Sequence, residues 1–419
     1  MKQIITVVCI FMIAGTAKGQ TNTNYDESKV TPYVLPEALK TTAGRTIRNA
    51  KDWESLRRPE ILEIFSREVY GRTPRQKPAV RYELISEDNM AMGGKAIRKE
   101  IKACFSDAED HCVAILLYLP KSGLPAPVFL GLNFEGNHSV YADTGIQLNP
   151  RWMRRTDIRG VVNHHATEAS RGQLYSRWQV EKLIERGYGL ATVYQGDFEL
   201  DRPGRSGKDG IRHLFGTGNA NDEWGSIGVW AWGLSRVMDY LETDTMVDAK
   251  KVALVGHSRL GKAAIWAGAQ DQRFAMVISN NSGEGGASLS RRNYGETIAD
   301  LNRVVSYWFC PNYKKYNENA AALPVDAHLL LALMAPRPIY VASATLDTWA
   351  DPKGEYLAAY GAGAVYALYN KKGLADIVMP PPDTPVGEGS IGYHLRTGEH
   401  DITAYDWEGY LNFADKHLK

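Results

Sequence analysis

Runs of apolar and β-branched residues alternate with polar turns and amphipathic stretches along most of the chain. These runs predict eight strands, at residues 97–105, 112–119, 127–134, 187–194, 251–256, 275–280, 338–344 and 364–369. Apolar residues at helical spacing predict helices at residues 178–186, 224–241, 259–270, 327–335 and 407–418. Helical segments intervene between strands only from the third strand onward.

An antiparallel start followed by alternating strands and helices is the pattern of an α/β-hydrolase fold. We therefore expect an α/β chain with a mostly parallel central sheet and helices on both faces, a three-layer sandwich. Residues 20–419 are expected to form a single domain. Within it, residues 20–59 would wrap the domain, and a long polar insertion near residues 139–176 would lie near the active face.

Composition and the N-terminus limit the setting in which the protein works. The formal net charge is only +1, which argues against bulk attraction to nucleic acid or to an anionic membrane. Residues 1–19 have a basic start, an apolar stretch at 4–14 and an Ala-Lys-Gly cleavage site, which predict a signal peptide too short to anchor the chain. Cys9 lacks the context of a lipidated cysteine. We expect a secreted or periplasmic protein, and a monomer.

Three cysteines remain after the predicted cleavage. Cys104 and Cys112 flank a polar segment that has the pattern of a hairpin loop, so they could pair in an oxidising compartment, which would leave Cys310 unpaired. Three buried thiols are the equally open alternative. None of the spacings is that of a zinc site, and no metal is expected.

The sequence Gly-His-Ser at 256–258 ends an apolar β-branched run and leads into an Ala-rich helical segment. A sharp strand-to-helix turn exposes a serine hydroxyl and directs helix-start N–H groups at a developing oxyanion. The common elbow pattern G-x-S-x-G has glycine two residues after the serine, where this chain has Leu260, and its glycine comes one position later at Gly261. Ser258 is therefore either the nucleophile of a variant elbow or a serine that caps a helix.

An α/β-hydrolase places its acid and its histidine after later strands, in the order Ser, acid, His. Asp347 follows the strand predicted at 338–344 and is the candidate acid, whereas Asp351 precedes proline and is expected to cap the next helix. His400 is the candidate base, and His394 is the reserve. His257 should point away from the serine and have a packing role.

Four segments together resemble the glucuronoyl esterases, in particular their bacterial branch. They are GHSRLGK at 256–262, GLNFEGNH at 131–138, NSGEGG at 281–286 and DTWADP at 347–352. The matched blocks span about residues 97 to 415. The resemblance explains the displaced glycine, and it implies hydrolysis of the ester that joins glucuronate, usually 4-O-methylated on xylan, to a lignin alcohol.

The resemblance also implies roles for single residues. Arg259 would stabilise the oxyanion with its backbone N–H and its guanidinium, where a surface cation at a helix start would be disfavoured by the helix dipole. Lys262, Glu296 and Trp349 would bind the uronate, with ordinary salt bridges or core contacts as the alternative. No metal or organic cofactor is implied.

One position departs from the fungal relatives. Their triad glutamate follows the sixth strand, and the matching residue here is Asn281, an amide that cannot stabilise an imidazolium as a carboxylate does. Glu284 lies nearby as the second-choice acid. Asp347 is therefore expected to carry the role, as in bacterial relatives with the acid after the seventh strand.

Two other functions stay open from the sequence. An acetyl (xylan) esterase or general carboxylesterase would use the same triad, although acetyl esters need no cationic sugar clamp. A carbohydrate-binding protein on an inactive hydrolase fold is the alternative that is not an enzyme. The arginine-rich insertion, with Arg151, Arg154, Arg155 and Arg159, is either a wall that contacts the glucuronoxylan-lignin substrate or a solvated loop.

Overall fold

The computed structural model describes residues 23–74, 78–108, 111–203, 210–215 and 220–419. The predicted signal peptide, residues 1–19, lies outside the described residues. Among the described residues, the main sheet has nine strands: β1 Arg81–Met90, β2 Ala96–Cys104, β3 Cys112–Pro120, β4 Ala126–Asn133, β7 Gly189–Tyr194, β8 Val247–His257, β9 Met276–Asn280, β10 Ile339–Ala344 and β11 Ile391–Arg396. A separate two-stranded ribbon, β5 Val161–Val162 and β6 His165–Ala166, lies within the predicted insertion.

The order of the strands places the candidate serine near the middle of the sheet. The order is β1-β2-β3-β7-β4-β8-β9-β10-β11. Pairing is antiparallel from β1 to β7 and parallel from β7 to β11. Strand β8, which leads to Ser258, is therefore flanked by β4 and β9, and the carboxyl ends of all these parallel strands meet at one edge.

The α-helices of the described residues are α1 Ala50–Asp52, α2 Arg58–Phe65, α3 Ala91–Gly94, α4 Tyr175–Trp178, α5 Val180–Glu185, α6 Gln195–Phe198, α7 Ser226–Leu241, α8 Arg259–Gln270, α9 Ile298–Val304, α10 Ala327–Ala332, α11 Pro352–Ala367 and α12 Ala404–Leu418. None of them is long and apolar enough to cross a membrane.

Alternation along the strands divides the core into two layers. On β8, Leu254 packs with α7, α8, α10 and α11, whereas its neighbours Ala253 and Val255 pack with α5 and α12 on the opposite face. Successive side chains of a strand point to opposite faces, so a strand buried on both sides is apolar throughout. The expected α/β-hydrolase sandwich, with helices on both faces of a mostly parallel sheet, is confirmed.

One predicted strand was wrong, and two strands of the sheet were not predicted. Residues 364–369, predicted as the last strand, belong mainly to α11, which begins where Asp351 accepts a hydrogen bond from the Gly354 backbone N–H at 3.0 Å and Pro352 takes the first position. The expected capping role of Asp351 is thus confirmed, and the apolar run that follows is a buried helical face. The last strand is β11, and the polar edge strand β1 was not predicted because it lacks an apolar alternation.

The predicted helix at 178–186 is interrupted. Helices α4 and α5 are separated at Gln179, whose φ of 45° is left-handed. The other four predicted helices are present, with ends that differ by up to three residues.

Cys104 and Cys112 are directly opposite each other on β2 and β3 and form a disulfide. Cys310 is buried and free. Of the two alternatives left open by the sequence, the disulfide is therefore the one present, and it closes the hairpin loop between β2 and β3.

We expect a Cys104→Ser/Cys112→Ser variant to lose roughly 2.5 kcal/mol in free energy of unfolding, because the open hairpin gains entropy in the unfolded chain. Urea unfolding under non-oxidising and oxidising conditions measures this. The wild type in excess reductant should fall to the value of the variant, and Cys310→Ser should leave the difference between the two conditions unchanged. Equal stability of the oxidised and reduced wild type would contradict the expectation.

Candidate active site

Ser258 occupies a strained turn between β8 and α8. Its φ of 57° and ψ of −134° lie outside the regions that non-glycine residues favour. Close backbone packing holds this turn, since a Cβ at Gly256 would come within 2.1 Å of the carbonyl oxygen of Leu260. A hydrogen bond from the Ser258 N–H to the Asn280 carbonyl, at 2.9 Å, ties the turn to β9. This is the geometry of a nucleophile elbow.

The displaced glycine has a packing reason. Leu260 is buried in the core, and a Cβ at Gly261 would meet the Gly256 carbonyl oxygen and the Ser282 Cβ at 3.0 Å. The helix N-terminus therefore needs glycine at 261 and accepts a side chain at 260. The Ser258 side chain makes no capping hydrogen bond to α8, which favours the elbow interpretation over the helix cap.

His400 and Asp347 form a hydrogen-bonded pair. The distance from His400 Nδ1 to Asp347 Oδ2 is 2.6 Å, and Asn281 Nδ2 donates to the same carboxylate oxygen at 2.7 Å. Burial opposes ionisation of Asp347, but the hydrogen bonds from His400 and Asn281 outweigh it and lower the pKa of the carboxyl group. Asp347 is thus a buried carboxylate that fixes the orientation of the His400 ring.

His257 places the His400 ring beside the elbow. The centroids of the two imidazole rings are 4.5 Å apart. His257 is fully enclosed, and its Nδ1 lies 2.5 Å from Asn280 Oδ1. Burial lowers the pKa of His257 well below its ordinary value, so the ring stays neutral. Its contacts fit the packing role predicted from the sequence.

The two reserve residues are engaged elsewhere. His394 lies on β11 rather than in a loop, fully buried, with Nε2 2.9 Å from Asp406 Oδ1. Glu284 accepts hydrogen bonds from Ser290 Oγ at 2.7 Å and Tyr313 Oη at 2.5 Å, and burial raises its pKa to about 7. Neither shares the Asp347–His400 contact.

Arg259 is held by a carboxylate that the sequence did not reveal. Its Nε lies 2.8 Å from Asp201 Oδ2, and its guanidinium stacks over the Phe134 ring at 4.5 Å. Asp201 also pairs with Arg154 at 2.9 Å and accepts hydrogen bonds from Tyr307 and Trp308, both at 2.8 Å. Burial alone would raise the pKa of Asp201, but Arg259 and Arg154 lower it, so Asp201 is ionised.

The three predicted substrate-binding residues lie together. Lys262 Nζ is 2.9 Å from Glu296 Oε2, and Trp349 Nε1 donates to Glu296 Oε1 at 3.0 Å. The backbone N–H of Glu296 also donates to the Trp349 carbonyl at 2.7 Å. The Lys262 side chain is almost fully buried, whereas Trp349 is 36% exposed. We call these three residues the clamp.

A second buried carboxyl group holds the loop next to Asp347. Glu355 is fully buried and accepts hydrogen bonds from the backbone N–H groups of Ser282 and Gly283, at 2.7 and 3.0 Å, and from Ser343 Oγ at 2.6 Å. These bonds fix the loop that carries Asn281, and burial raises the pKa of Glu355 to about 8. Glu355 is the fourth residue of α11. Nothing in the sequence would have linked it to the site.

Metal ligands are not grouped at this site. Within the described ranges, no three His, Cys, Asp or Glu side chains are arranged to hold an ion. The Ser258 elbow, the Asp347–His400 pair and Arg259 together support nucleophilic attack by a serine hydroxyl, with an imidazole to take its proton and cationic or N–H donors for an oxyanion.

Comparison with known proteins agrees with this arrangement. A sequence profile described as glucuronyl esterase of fungi matches residues 185–370. The carbohydrate esterase MZ0003, from an unknown prokaryotic organism, is 46% identical over 404 residues, which cover 94% of this chain and 92% of that protein. The structure of a glucuronoyl esterase from Solibacter usitatus is 50% identical, with a TM-score of 0.89 over 94% of this chain and 100% of that chain.

A more distant enzyme shares only the architecture. The glucuronoyl esterase catalytic domain from Hypocrea jecorina is 19% identical, with a TM-score of 0.58 over 92% of this chain and 88% of that chain. Identity of 46% with the prokaryotic carbohydrate esterase MZ0003 extends over nearly all of both chains. The chain therefore belongs to the glucuronoyl esterases, carbohydrate esterase family 15.

Proposed function

We propose that this glucuronoyl esterase hydrolyses the ester between glucuronic acid and an alcohol through a glucuronoyl-serine intermediate. Relatives of the chain are named 4-O-methyl-glucuronoyl methylesterases, including one from Podospora anserina that is 36% identical over 166 residues. The observation that carries the proposal is that the clamp lies next to the serine elbow. Lys262 is one helical turn from Ser258 on α8, so a sugar held by the clamp has its carboxyl group at the nucleophile.

The first step is attack by Ser258 Oγ on the ester carbonyl. His400 takes the serine proton at Nε2, because Asp347 engages Nδ1 and so fixes the tautomer. The buried, ionised Asp347 also stabilises the imidazolium that forms. The strained backbone of the elbow keeps Oγ at the end of β8, where neighbouring strands leave room for the substrate.

The oxyanion receives donors from the start of α8. Arg259 supplies its backbone N–H, and its guanidinium adds a charged donor that Asp201 and the Phe134 ring hold in place. A charge-assisted hydrogen bond is stronger than a neutral one, and loss of one oxyanion donor costs about 2.7–4 kcal/mol. Protonation of the departing alcohol by His400 completes acylation, and water activated by the same ring then releases glucuronate.

The clamp suits the sugar part of a uronate ester. Lys262 can donate to ring hydroxyls, Glu296 can accept from them, and the exposed face of Trp349 can pack on the pyranose. The ester itself is uncharged, so a paired Lys–Glu set, which is neutral overall, matches it better than an isolated cation. An acetyl group would leave all three residues unused.

The remaining assignments extend this proposal. The alcohol would be a lignin alcohol on glucuronoxylan, and the enzyme would act as a secreted or periplasmic monomer after removal of residues 1–19. A neighbouring structure with 46% identity is described as a promiscuous esterase of the same family, which makes simple esters worth testing beside uronate esters. A binding protein without activity would have no need of the hydrogen-bonded Asp347–His400 pair beside an elbow.

The triad acid can be tested with a pair of carboxyl-to-amide variants. We expect Asp347→Asn to lower kcat on methyl glucuronate by about 10³- to 10⁴-fold, because an amide neither fixes the tautomer nor stabilises imidazolium. Glu284→Gln, which alters a buried carboxyl held by Ser290 and Tyr313, is the control and should keep most of the activity. Near-normal turnover by Asp347→Asn would refute the assignment.

Substrate class can be tested by comparing two esters. The wild type should turn over methyl glucuronate with a higher kcat/KM than p-nitrophenyl acetate. Trp349→Ala should lower kcat/KM roughly ten- to hundredfold on the uronate ester and far less on the acetate, since only the sugar uses the ring and its bond to Glu296. A preference for acetate, or equal losses on both esters, would favour a general carboxylesterase.

The role of Asp201 follows from its contacts with Arg259. We expect Asp201→Asn to lower kcat about ten- to hundredfold with little change in KM, because a poorly held guanidinium loses contacts made mainly in the transition state. Asp239→Asn, which removes a partly exposed ion pair with Arg273, is the matched control and should leave kcat unchanged. A rise in KM alone would show that Asp201 serves substrate binding instead.

A further inference from the structure

The first described residues of the chain lie against the clamp. We call residues 23–30 the N-terminal strap; it contains a short 3-10 helix, Glu27–Lys29, capped by Asp26. The Asn24 carbonyl accepts a hydrogen bond from the Gly295 backbone N–H at 2.8 Å. Glu296 of the clamp is the next residue, so the strap is bonded to the loop that presents the clamp carboxylate.

Ion pairs fix the strap to both loops of the clamp. Glu27 pairs with Arg292 at 2.7 Å and with Lys353 at 2.6 Å. Arg292 is buried and also pairs with Asp351 at 2.8 Å, just after Trp349 in the sequence. Because one buried arginine joins the strap, the Glu296 loop and the Trp349 loop, the strap has a defined position at the site.

Tyr25 is the side chain that the strap presents. Its ring centroid is 6.3 Å from that of Tyr294, in an edge-to-face contact, and 49% of the residue stays exposed. Burial raises the pKa of Tyr25, and the carboxylates of Asp300, Asp347 and Glu296 raise it further. The Tyr25 ring thus packs on Tyr294, two residues before Glu296 of the clamp.

Two exposed aromatic residues are thus attached to the loop of Glu296, Trp349 through its hydrogen bond to the Glu296 carboxylate and Tyr25 through its contact with Tyr294. An aromatic ring with a polar edge, held rigidly and partly exposed, can pack on the apolar face of a sugar while hydrogen-bonding its hydroxyls. The uronate already has Lys262, Glu296 and Trp349 as partners. The ring of Tyr25 is not one of these partners, and 49% of the residue is exposed, so the ring is available to the next unit of a glycan.

We propose that Tyr25 forms a second sugar subsite, which binds the neutral sugar residue that carries the esterified uronate. This inference rests on the proposed function, because the uronate in the clamp sets the position of the next sugar. A lone methyl glucuronate would not reach Tyr25, whereas a glucuronate linked to a xylo-oligosaccharide would. The strap thereby favours polymer-derived esters over small ones.

The test compares two methyl esters in the mature, full-length enzyme: methyl glucuronate alone and the same ester linked to a xylotriose. We expect Tyr25→Ala to lower kcat/KM five- to thirtyfold on the oligosaccharide ester and less than twofold on methyl glucuronate. Tyr25→Phe, which keeps the ring, should stay within threefold of the wild type on both. Glu27→Ala, which frees the strap, should show the same selective loss as Tyr25→Ala.

Tyr369→Ala is the matched control, because Tyr369 follows the far end of α11, a 16-residue helix about 24 Å long that begins next to the clamp. It should behave as the wild type on both esters, and thermal unfolding should show that each variant is folded. Unchanged kinetics of Tyr25→Ala on both esters, or equal losses on both, would overturn the subsite.

A separate measurement distinguishes failure of the subsite from failure of the proposed function. Binding of the unesterified oligosaccharide is titrated calorimetrically to Ser258→Ala, with and without Tyr25→Ala. Binding that is at least fivefold weaker in the double variant supports the subsite, whether or not the wild type cleaves the esters. Failure of the wild type to cleave either ester would refute the proposed function alone. Equal binding by both variants counts against Tyr25.

Discussion

The close approach of the Gly256 backbone to the Leu260 carbonyl is the constraint on which the site depends. No side chain fits between them, and the contact holds Ser258 in its strained conformation with positive φ. Once the turn is fixed, the N–H of Ser258 bonds to β9 and α8 starts at Arg259, so the proposed nucleophile, the proposed oxyanion donor and Lys262 are all positioned by one piece of backbone. Strain in the turn is offset by the buried helix and sheet around it.

Each functional cation or imidazole in the site has its own buried or half-buried carboxylate. Asp347 pairs with His400, Asp201 with Arg259, and Glu296 with Lys262. Removing one member of such a pair leaves the other charge without compensation, so these pairs fix positions more than they stabilise the fold. Further buried groups act behind these pairs: Asn281 donates a hydrogen bond to Asp347, and Glu355 holds the loop that carries Asn281.

The sequence predicted what is coded in local patterns. Strand periodicity and the elbow glycine each leave a signal in a short window. The positions of Asp347 and His400 just after predicted strands, in the order that the fold requires, are signals of the same local kind. Asp201 and Glu355 leave none, because their roles come from contacts with Arg259 and Ser282, which are 58 and 73 positions away. Asn281 was noticed only as an amide at the position of the fungal glutamate, and its hydrogen bond to Asp347 was not predicted. The apolar run at 364–369 was wrongly predicted as a strand because a short apolar run fits a buried helix and a strand equally well. The length of the element and the presence of a helix cap decide between the two.

Pairing of the cations also bears on how the enzyme releases its product. Ester cleavage turns a neutral substrate into a carboxylate beside Arg259 and within a turn of Lys262. If both cations were free, the product would be held more tightly than the substrate, and release would limit turnover. Glu296 balances Lys262, and Asp201, which Arg259 shares with Arg154, offsets part of the guanidinium charge, so a product carboxylate is held less tightly than it would be by free cations. The same balance explains why the pocket presents a lysine and an arginine to a substrate that carries no charge.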